Sequence, residues 1–208
     1  MRTALLIATQ ILLALASGVQ ADALLWFEDL TTPPLGWTYW GFDFTPFGAH
    51  LYEIVDYFPN SPPGAGGPAP LMVVGSMYTD TVLVPDGIDS LVLHVPQTLN
   101  LYAGGESIFA YATLVVYING VDSTLYNRGV VEYMADSRDS YADSLPLHHS
   151  IVDVAPGDEV CFRFYSSSTG WSGSATINWK LWDAQLVGFG DLAFRSESWA
   201  AIKALGLE

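Results

Sequence analysis

The sequence predicts an all-β domain, an antiparallel β-sandwich of jelly-roll type with a short C-terminal helix. Three observations lead to this class. Half of the 208 residues are hydrophobic, apolar and polar residues alternate over short segments, and Gly, Pro, Asn and Asp separate those segments. Period-two alternation gives a strand one buried face. Many short strands without intervening helices form a sandwich or barrel, and a jelly roll has about eight strands.

The predicted strands are short segments rich in β-branched and aromatic residues. They span residues 24–28, 38–44, 51–58, 71–78, 81–84, 90–95, 108–119, 123–134, 148–154, 159–165 and 175–187. Asn119-Gly120 predicts a hairpin, because both residue types accept the positive φ of a tight turn. Residues 60–70 and 135–145 are predicted to be loops.

Residues 151–187 show the clearest alternation. Apolar and polar side chains alternate over 159–165, and Ile177, Trp179 and Leu181 share one face of the following segment. We predict two neighbouring strands joined by a polar loop around Trp171. This pair would close one edge of the sandwich, with the last strand pairing with the first.

The N-terminus has the three-part pattern of a secretory signal peptide. Arg2 precedes an apolar stretch at 4–16, and small residues lead to Ala21. Cleavage there leaves Asp22 as the first residue and predicts a protein that is secreted, at the cell surface or periplasmic. The apolar stretch is shorter than the about 20 residues of a membrane-spanning helix. No membrane insertion is therefore expected after cleavage.

The remaining chain divides into a β-sandwich domain at 22–192 and a helical tail at 193–208. In the tail, Ser196 can cap a helix that places Trp199 and Ile202 on one face. Such a short helix is marginal in water on its own, so it is expected to dock on the sandwich or on a partner.

Charge and cysteine content exclude several function classes. The chain has 22 acidic and seven basic residues and a net charge of −15; loss of Arg2 with the signal peptide makes it −16. Nucleic-acid binding needs a basic face, and docking on anionic lipid needs positive charge. A single cysteine, Cys161, excludes an intramolecular disulfide and a Cys-ligated zinc site. Secretion without disulfides favours a bacterial exported protein.

Short motifs stand at both ends of the domain. LLWFEDL at 24–30 and PPLGW at 33–37 contain an aromatic-Glu pair and a Pro-Gly-Trp turn, and they resemble the start of secreted bacterial jelly-roll modules of the MAM-like and carbohydrate-binding-module-like kinds. WKLWD at 179–183 resembles their last strand, which ends in an acidic residue and pairs with the first. The resemblance implies a jelly roll that binds glycans. The tail at 198–204 resembles Ser-Trp-X-X-Ile-Lys endings of some bacterial secreted proteins, where it would be an attachment tag or a packed helix.

Glu28 and Asp183 are the candidate metal ligands. Each shares the strand parity of apolar neighbours, and a carboxylate on an apolar face must be paired, hydrogen-bonded or bound to metal. If the first and last strands are neighbours, the two acids could share a structural Ca²⁺ with backbone carbonyls. Alternatively, both lie solvated at strand ends.

Exposed aromatic rings are the predicted glycan platform, because sugars stack their apolar faces on flat rings and bind polar groups through their hydroxyls. The alternative is that these rings belong to the core. The candidate ligand-binding residues are Trp37, Trp40, Trp171, Trp182, Tyr126 and Arg128.

The sequence argues against an enzyme. His50 and His94 stand alone on predicted strands, and the adjacent His148 and His149 point to opposite faces. The common nucleophile, metalloprotease and nucleotide-binding motifs are missing from the sequence. We therefore predict a non-catalytic module that binds an extracellular glycan or cell-surface polymer. The alternative is a structural or adhesive surface protein that assembles through sheet edges or the C-terminal helix.

Overall fold

A computed structural model describes residues 23–57, 71–133 and 138–190 of the chain. Within these ranges the chain forms fifteen strands. They are β1 (Ala23–Glu28), β2 (Thr38–Trp40), β3 (Asp43–Thr45), β4 (Gly48–Tyr57), β5 (Met72–Tyr78), β6 (Val82–Leu83), β7 (Ser90–Val95), β8 (Gln97–Glu106), β9 (Ile108–Ile118), β10 (Val121–Glu132), β11 (Arg138–Asp143), β12 (Leu147–Val152), β13 (Glu159–Thr169), β14 (Ser172–Leu181) and β15 (Ala184–Phe189). The predicted signal peptide at 1–21 and the helical tail at 193–208 lie outside the described residues. The described part of the chain contains no helix able to cross a membrane.

The strands form three antiparallel sheets. The first has the order β1-β15-β7-β12, the second β10-β9-β13-β5-β2 with β6 beside β13, and the third β11-β8-β14-β4-β3. The pairing of β1 with β15 confirms that the last strand returns to the first. The all-β, antiparallel class predicted from the sequence is confirmed, whereas the jelly-roll connectivity stays a prediction.

The first and third sheets are two halves of one bent layer. Strands β7 and β8 are separated by Pro96 alone, and β14 and β15 by Trp182 and Asp183. The Trp182 N–H donates to the Pro96 carbonyl at 3.1 Å across this break. Proline has no N–H for a sheet ladder, so hydrogen bonding is interrupted there. The predicted single strand at 175–187 is therefore two strands.

The second sheet packs against both halves of the bent layer. Phe162 and Phe164 point inward from β13. Phe162 lies edge-on to Trp26 of β1, with ring centroids 6.4 Å apart. Phe164 lies 6.2 Å from Trp179 of β14, which is completely buried. Burying such a ring contributes about 1.5–3 kcal/mol, and these contacts join the sheets into a β-sandwich with one core.

Three predictions about individual elements are wrong. Strands β13 and β14 are not neighbours, because they belong to opposite layers. The predicted polar loop between them is reduced to Gly170 and Trp171, since the serines on both sides continue the strands. Residues 138–143 of the loop predicted at 135–145 form strand β11, and strand β8 was not predicted. Strand β11 exposes most of its side chains, so it has no hydrophobic pattern to reveal it.

Candidate functional site

Two predicted ligand-binding aromatics, Trp37 and Tyr126, are buried. Trp37 is 9% exposed and packs edge-on against Trp26, with ring centroids 5.6 Å apart. Tyr126 is 8% exposed. Burial in the core removes both rings from the exposed platform that the sequence predicts.

Tyr126 and Arg128 belong to a hydrogen-bonded network at the edge of the sandwich. The Tyr126 hydroxyl donates to Oδ2 of Asp143 at 3.2 Å, and Tyr141 donates to the same oxygen at 3.1 Å. Arg128 lies 5.2 Å above the Tyr126 ring and donates from Nε to the Tyr141 hydroxyl at 3.1 Å. Burial acts to raise the pKa of Asp143, but hydrogen bonds from the Leu145 N–H and both phenols outweigh it and lower the pKa. These groups are satisfied within the protein.

The three other predicted tryptophans do not lie together. Trp171 is half-buried in the short connection between β13 and β14, and Trp182 is half-buried in the break between β14 and β15. Trp40 is 49% exposed on β2, the edge strand of the second sheet. Of the three, Trp40 has the exposure that a stacking platform requires.

The pairing of β1 with β15 brings Glu28 close to Asp183 in the backbone register. Glu28 is the Cα partner of Ala184, which follows Asp183 directly. Partial burial raises the pKa of Glu28, whereas Asp183 is exposed in the strand break rather than on a buried face. Among the described residues, no group of three or more His, Cys, Asp or Glu side chains could hold a metal ion. The calcium site stays a prediction.

The outer face of the second sheet gathers the residues best suited to bind a ligand. Cα partners in antiparallel strands point to the same face, so the register places Trp40, Ser76, Tyr165, Thr113 and Asn127 in one row across five strands. The next row places Tyr78 beside Arg163. We call the surface formed by Trp40, Tyr78, Tyr111, Tyr117, Arg163 and Tyr165 the aromatic face.

Arg163 is held at the centre of the aromatic face. Its guanidinium carbon lies 4.9 Å from the centroid of Tyr78 and 4.4 Å from that of Tyr165. Its Nε–H donates to Oγ of Ser76 at 3.0 Å. A cation over an aromatic ring is attracted to its π-electrons, so the three side chains order one another without a ligand.

A second group of rings extends the aromatic face along the sheet. Gly129 pairs with Tyr111 across β10 and β9, and a Cβ at Gly129 would collide with the Tyr111 ring at 2.3 Å. The missing side chain therefore lets this ring lie over the strand. Phe109 and the exposed Tyr133 continue the same surface, edge-on with centroids 5.5 Å apart.

A shallow pocket of about 290 Å³ opens at the other end of the aromatic face. It is lined by Tyr78, Thr81, Tyr117, Gly120, Glu159 and Cys161. Burial raises the pKa of the Cys161 thiol, and burial also raises the pKa of Tyr78 despite the nearby guanidinium of Arg163. Both groups are neutral at physiological pH, so the pocket offers phenol hydroxyls and a carboxylate but no activated nucleophile.

The sequence suggested that His50 and His94 stand alone, but in the structure each has a side-chain neighbour. Nε2 of His50 lies 2.9 Å from Oδ1 of Asn178 on the neighbouring strand. His94 and His148 are Cα partners on β7 and β12, and their ring centroids are 5.7 Å apart. His149 lies on the other face of β12, 6.3 Å from the Tyr126 ring.

Comparison with known proteins places the chain in no family. No family model matches the chain, and no curated protein matches it. Matches among solved structures include a protein of infectious bursal disease virus, Gx strain, at 14% identity over 70% of this chain and TM-score 0.27. TmCBM61, in complex with beta-1,4-galactotriose, matches at 14% identity over 72% of this chain and 88% of its own, with TM-score 0.23. The chain spans 33% of the length of the viral protein.

Sequence reasoning missed most of the aromatic face. The signal was present within β13, where Arg163 and Tyr165 occupy the outward parity opposite Phe162 and Phe164. A single strand, however, does not reveal its neighbours. Tyr78 comes from a segment 85 residues earlier, and only the register across β5 and β13 brings it beside Arg163.

Proposed function

We propose that this chain is a secreted, non-catalytic carbohydrate-binding module, and that an extracellular glycan or cell-surface polymer binds across the aromatic face. The observation that carries the proposal is the stack of Tyr78, Arg163 and Tyr165, with the exposed Asn127 in the same row as Tyr165. A sugar presents apolar C–H faces and hydroxyl groups together. Aromatic rings interleaved with hydrogen-bonding groups match both features.

Arg163 would supply the polar contacts at the centre of the site. A guanidinium carries five N–H donors in a fixed fork. The contact of Nε with Ser76 fixes the position of the group, and other donors then point to ligand hydroxyls from a preordered side chain. Preorganisation lowers the entropy cost of binding. Asn127 is exposed on β10 and would add a second polar group. The buried Thr113 hydroxyl donates to its Oδ1 at 3.4 Å and orients it.

The spacing of the rings favours an oligosaccharide over a single sugar. Trp40 and Tyr165 lie on strands separated by β5, so their backbones are about 10 Å apart. The small Ser76 lies between them in the same row. One sugar cannot stack on both rings, whereas successive units of a chain can.

A second candidate function is assembly through a sheet edge. Strand β1 is the edge of the first sheet, and Leu24 and Phe27 on it are 50% and 52% exposed. Exposed apolar side chains on an edge strand favour pairing with another chain. This observation supports the structural or adhesive alternative, in which the protein would form oligomers and bind no sugar.

The test of the glycan proposal is an array of plant, bacterial and host glycans probed with the purified protein. For a sugar that binds, calorimetric titration compares the wild type with Tyr165→Ala and Arg163→Ala. Loss of one aromatic contact of about 1.5 kcal/mol weakens binding about tenfold. We therefore expect Tyr165→Ala to bind up to about tenfold more weakly. Arg163→Ala should bind at least about tenfold more weakly, because a hydrogen bond from a charged group contributes about 1.5–3 kcal/mol.

The matched control is Tyr52→Ala. Tyr52 is 55% exposed on β4 of the third sheet, whereas the aromatic face belongs to the second sheet. Its removal should therefore leave affinity unchanged. Trp171→Ala tests the site predicted from sequence in the same way. Silence across the array, or a loss caused by Tyr52→Ala with Tyr165→Ala unaffected, would refute the proposed site. Thermal melting of each variant confirms that it folds.

A further inference from the structure

The outer face of the first sheet carries a pair of histidines that neither the glycan proposal nor the core explains. His94 on β7 and His148 on β12 are direct Cα partners, and their ring centroids are 5.7 Å apart with an interplanar angle of 68°. Both side chains reach solvent, His148 being exposed and His94 half-buried. On its other side, His94 pairs with Gln185 of β15.

The separation of the two rings fits a shared metal ion. In a zinc-bound imidazole the ring centre lies about 3.2 Å from the metal, and a tetrahedral angle puts two such centres about 5.2 Å apart. The observed separation of 5.7 Å is larger by about 0.5 Å, a difference that a small side-chain rotation removes. The two strands are held in register by pairing from Leu147 to Val152, so the backbone presents both rings before metal arrives.

We propose that His94 and His148 form a surface binding site for a divalent transition-metal ion of the Ni²⁺, Cu²⁺ and Zn²⁺ class. Neutral imidazole is a preferred ligand of these ions, whereas Ca²⁺ and Mg²⁺ prefer oxygen. The two rings supply half of a tetrahedral set, and two water molecules would complete it. Because part of the set is solvent, the ion exchanges and its open positions can accept a ligand from outside. The site is independent of the aromatic face, which lies on the opposite layer.

The experiment is calorimetric titration of Zn²⁺ into the purified protein, produced without a histidine tag. We expect one Zn²⁺ per chain and no comparable heat with Mg²⁺. Removal of an outer-shell partner alone costs about 10–100-fold in metal affinity. His94→Gln and His148→Gln should therefore each weaken Zn²⁺ binding at least tenfold, with melting temperatures in the absence of metal close to that of the wild type.

Two control variants come from the same chain. His149→Gln changes the residue next to His148 on the opposite face of β12, and His50→Gln changes the histidine bound to Asn178. Both should bind Zn²⁺ as the wild type does. Absence of Zn²⁺ binding, equal Mg²⁺ binding, or wild-type affinity in both His94→Gln and His148→Gln would overturn the proposal. Zinc should also raise the melting temperature of the wild type, because a ligand of the native state stabilises it.

Discussion

At the residue scale, a chain of hydrogen bonds runs from the core to the surface. The Trp179 indole N–H donates to Oε1 of Gln97 at 2.8 Å, and Nε2 of Gln97 donates to the Tyr126 hydroxyl at 3.3 Å. The Tyr126 hydroxyl in turn donates a hydrogen bond to Asp143. Gln97 is 2% exposed, so water cannot replace it. One amide therefore satisfies two buried groups at once.

Replacement of Gln97 by leucine should destabilise the protein. Gln97→Leu leaves the Trp179 N–H buried without a partner, and such a loss costs about 1–3 kcal/mol. Urea unfolding should show a lower midpoint with an unchanged slope. Asn100→Ala is the matched control, because Asn100 is exposed on the same strand and a surface change of this kind costs about 0.5 kcal/mol or less. Equal stability of Gln97→Leu and wild type would show that the bond contributes nothing.

The sequence predicts burial at this scale only where alternation is unbroken. Trp179 lies between Ile177 and Leu181 and is buried as its parity indicates. Trp37 follows a turn, Gly36, and not a run of alternating residues, so its burial against Trp26 has no periodic signal. Asp183 follows the parity of Trp179, but the strand ends before it. A parity argument holds only while the strand continues.

At the element scale, the hairpin predicted at Asn119-Gly120 is confirmed by the pairing of β9 with β10. Asn119 and Gly120 have φ values of 51° and 80°, as the predicted tight turn requires, and Ile118 pairs with Val121. The Asn119 side chain also joins a second turn. Its Nδ2 donates to Asp158 at 2.8 Å, and its Oδ1 accepts from the Glu159 N–H at 2.9 Å. The hydrogen bond from the Ala155 N–H lowers the pKa of Asp158, and the hydrogen bond from Asn119 has a smaller effect in the same direction.

The Gly120→Ala variant measures the conformational requirement of this turn. A Cβ at Gly120 meets no atom within 4 Å, so a stability change reports backbone strain and not a clash. An L-residue in the left-handed region costs about 1–2 kcal/mol. We expect the free energy of unfolding to fall by this amount in chemical denaturation, with the exposed Thr124→Ala on β10 as control. An unchanged stability would mean that the turn adopts another conformation.

Other elements could not be predicted from local signals. Strand β8 alternates Leu99, Leu101 and Ala103 inward, but its end is the pair Gly104-Gly105, which favours a loop. The crossing of the chain from β13 to β14 changes layers within two residues. Nothing in a Ser- and Gly-rich connection distinguishes such a crossing from an ordinary hairpin, because both need the same flexible backbone.

At the scale of the whole molecule, both faces of the second sheet are rich in aromatic rings. Phe162 and Phe164 fill the core, while Tyr165 and Tyr78 cover the opposite face around Arg163. Aromatic content alone therefore does not show which rings face solvent. The register of five strands, drawn from distant segments, creates the candidate site. This explains why the fold class followed from the sequence while the site did not.

The central claim is that the aromatic face binds glycan, and backbone NMR mapping tests it most directly. The isotope-labelled protein is titrated with the best oligosaccharide from the glycan array, and amide shift changes are followed. We predict that the largest changes cluster on β5, β9 and β13 around Tyr78, Tyr117 and Arg163, with β4 and β14 of the third sheet unaffected. Changes centred instead on the third sheet around Tyr52 and Asn178 would contradict this account of the molecule.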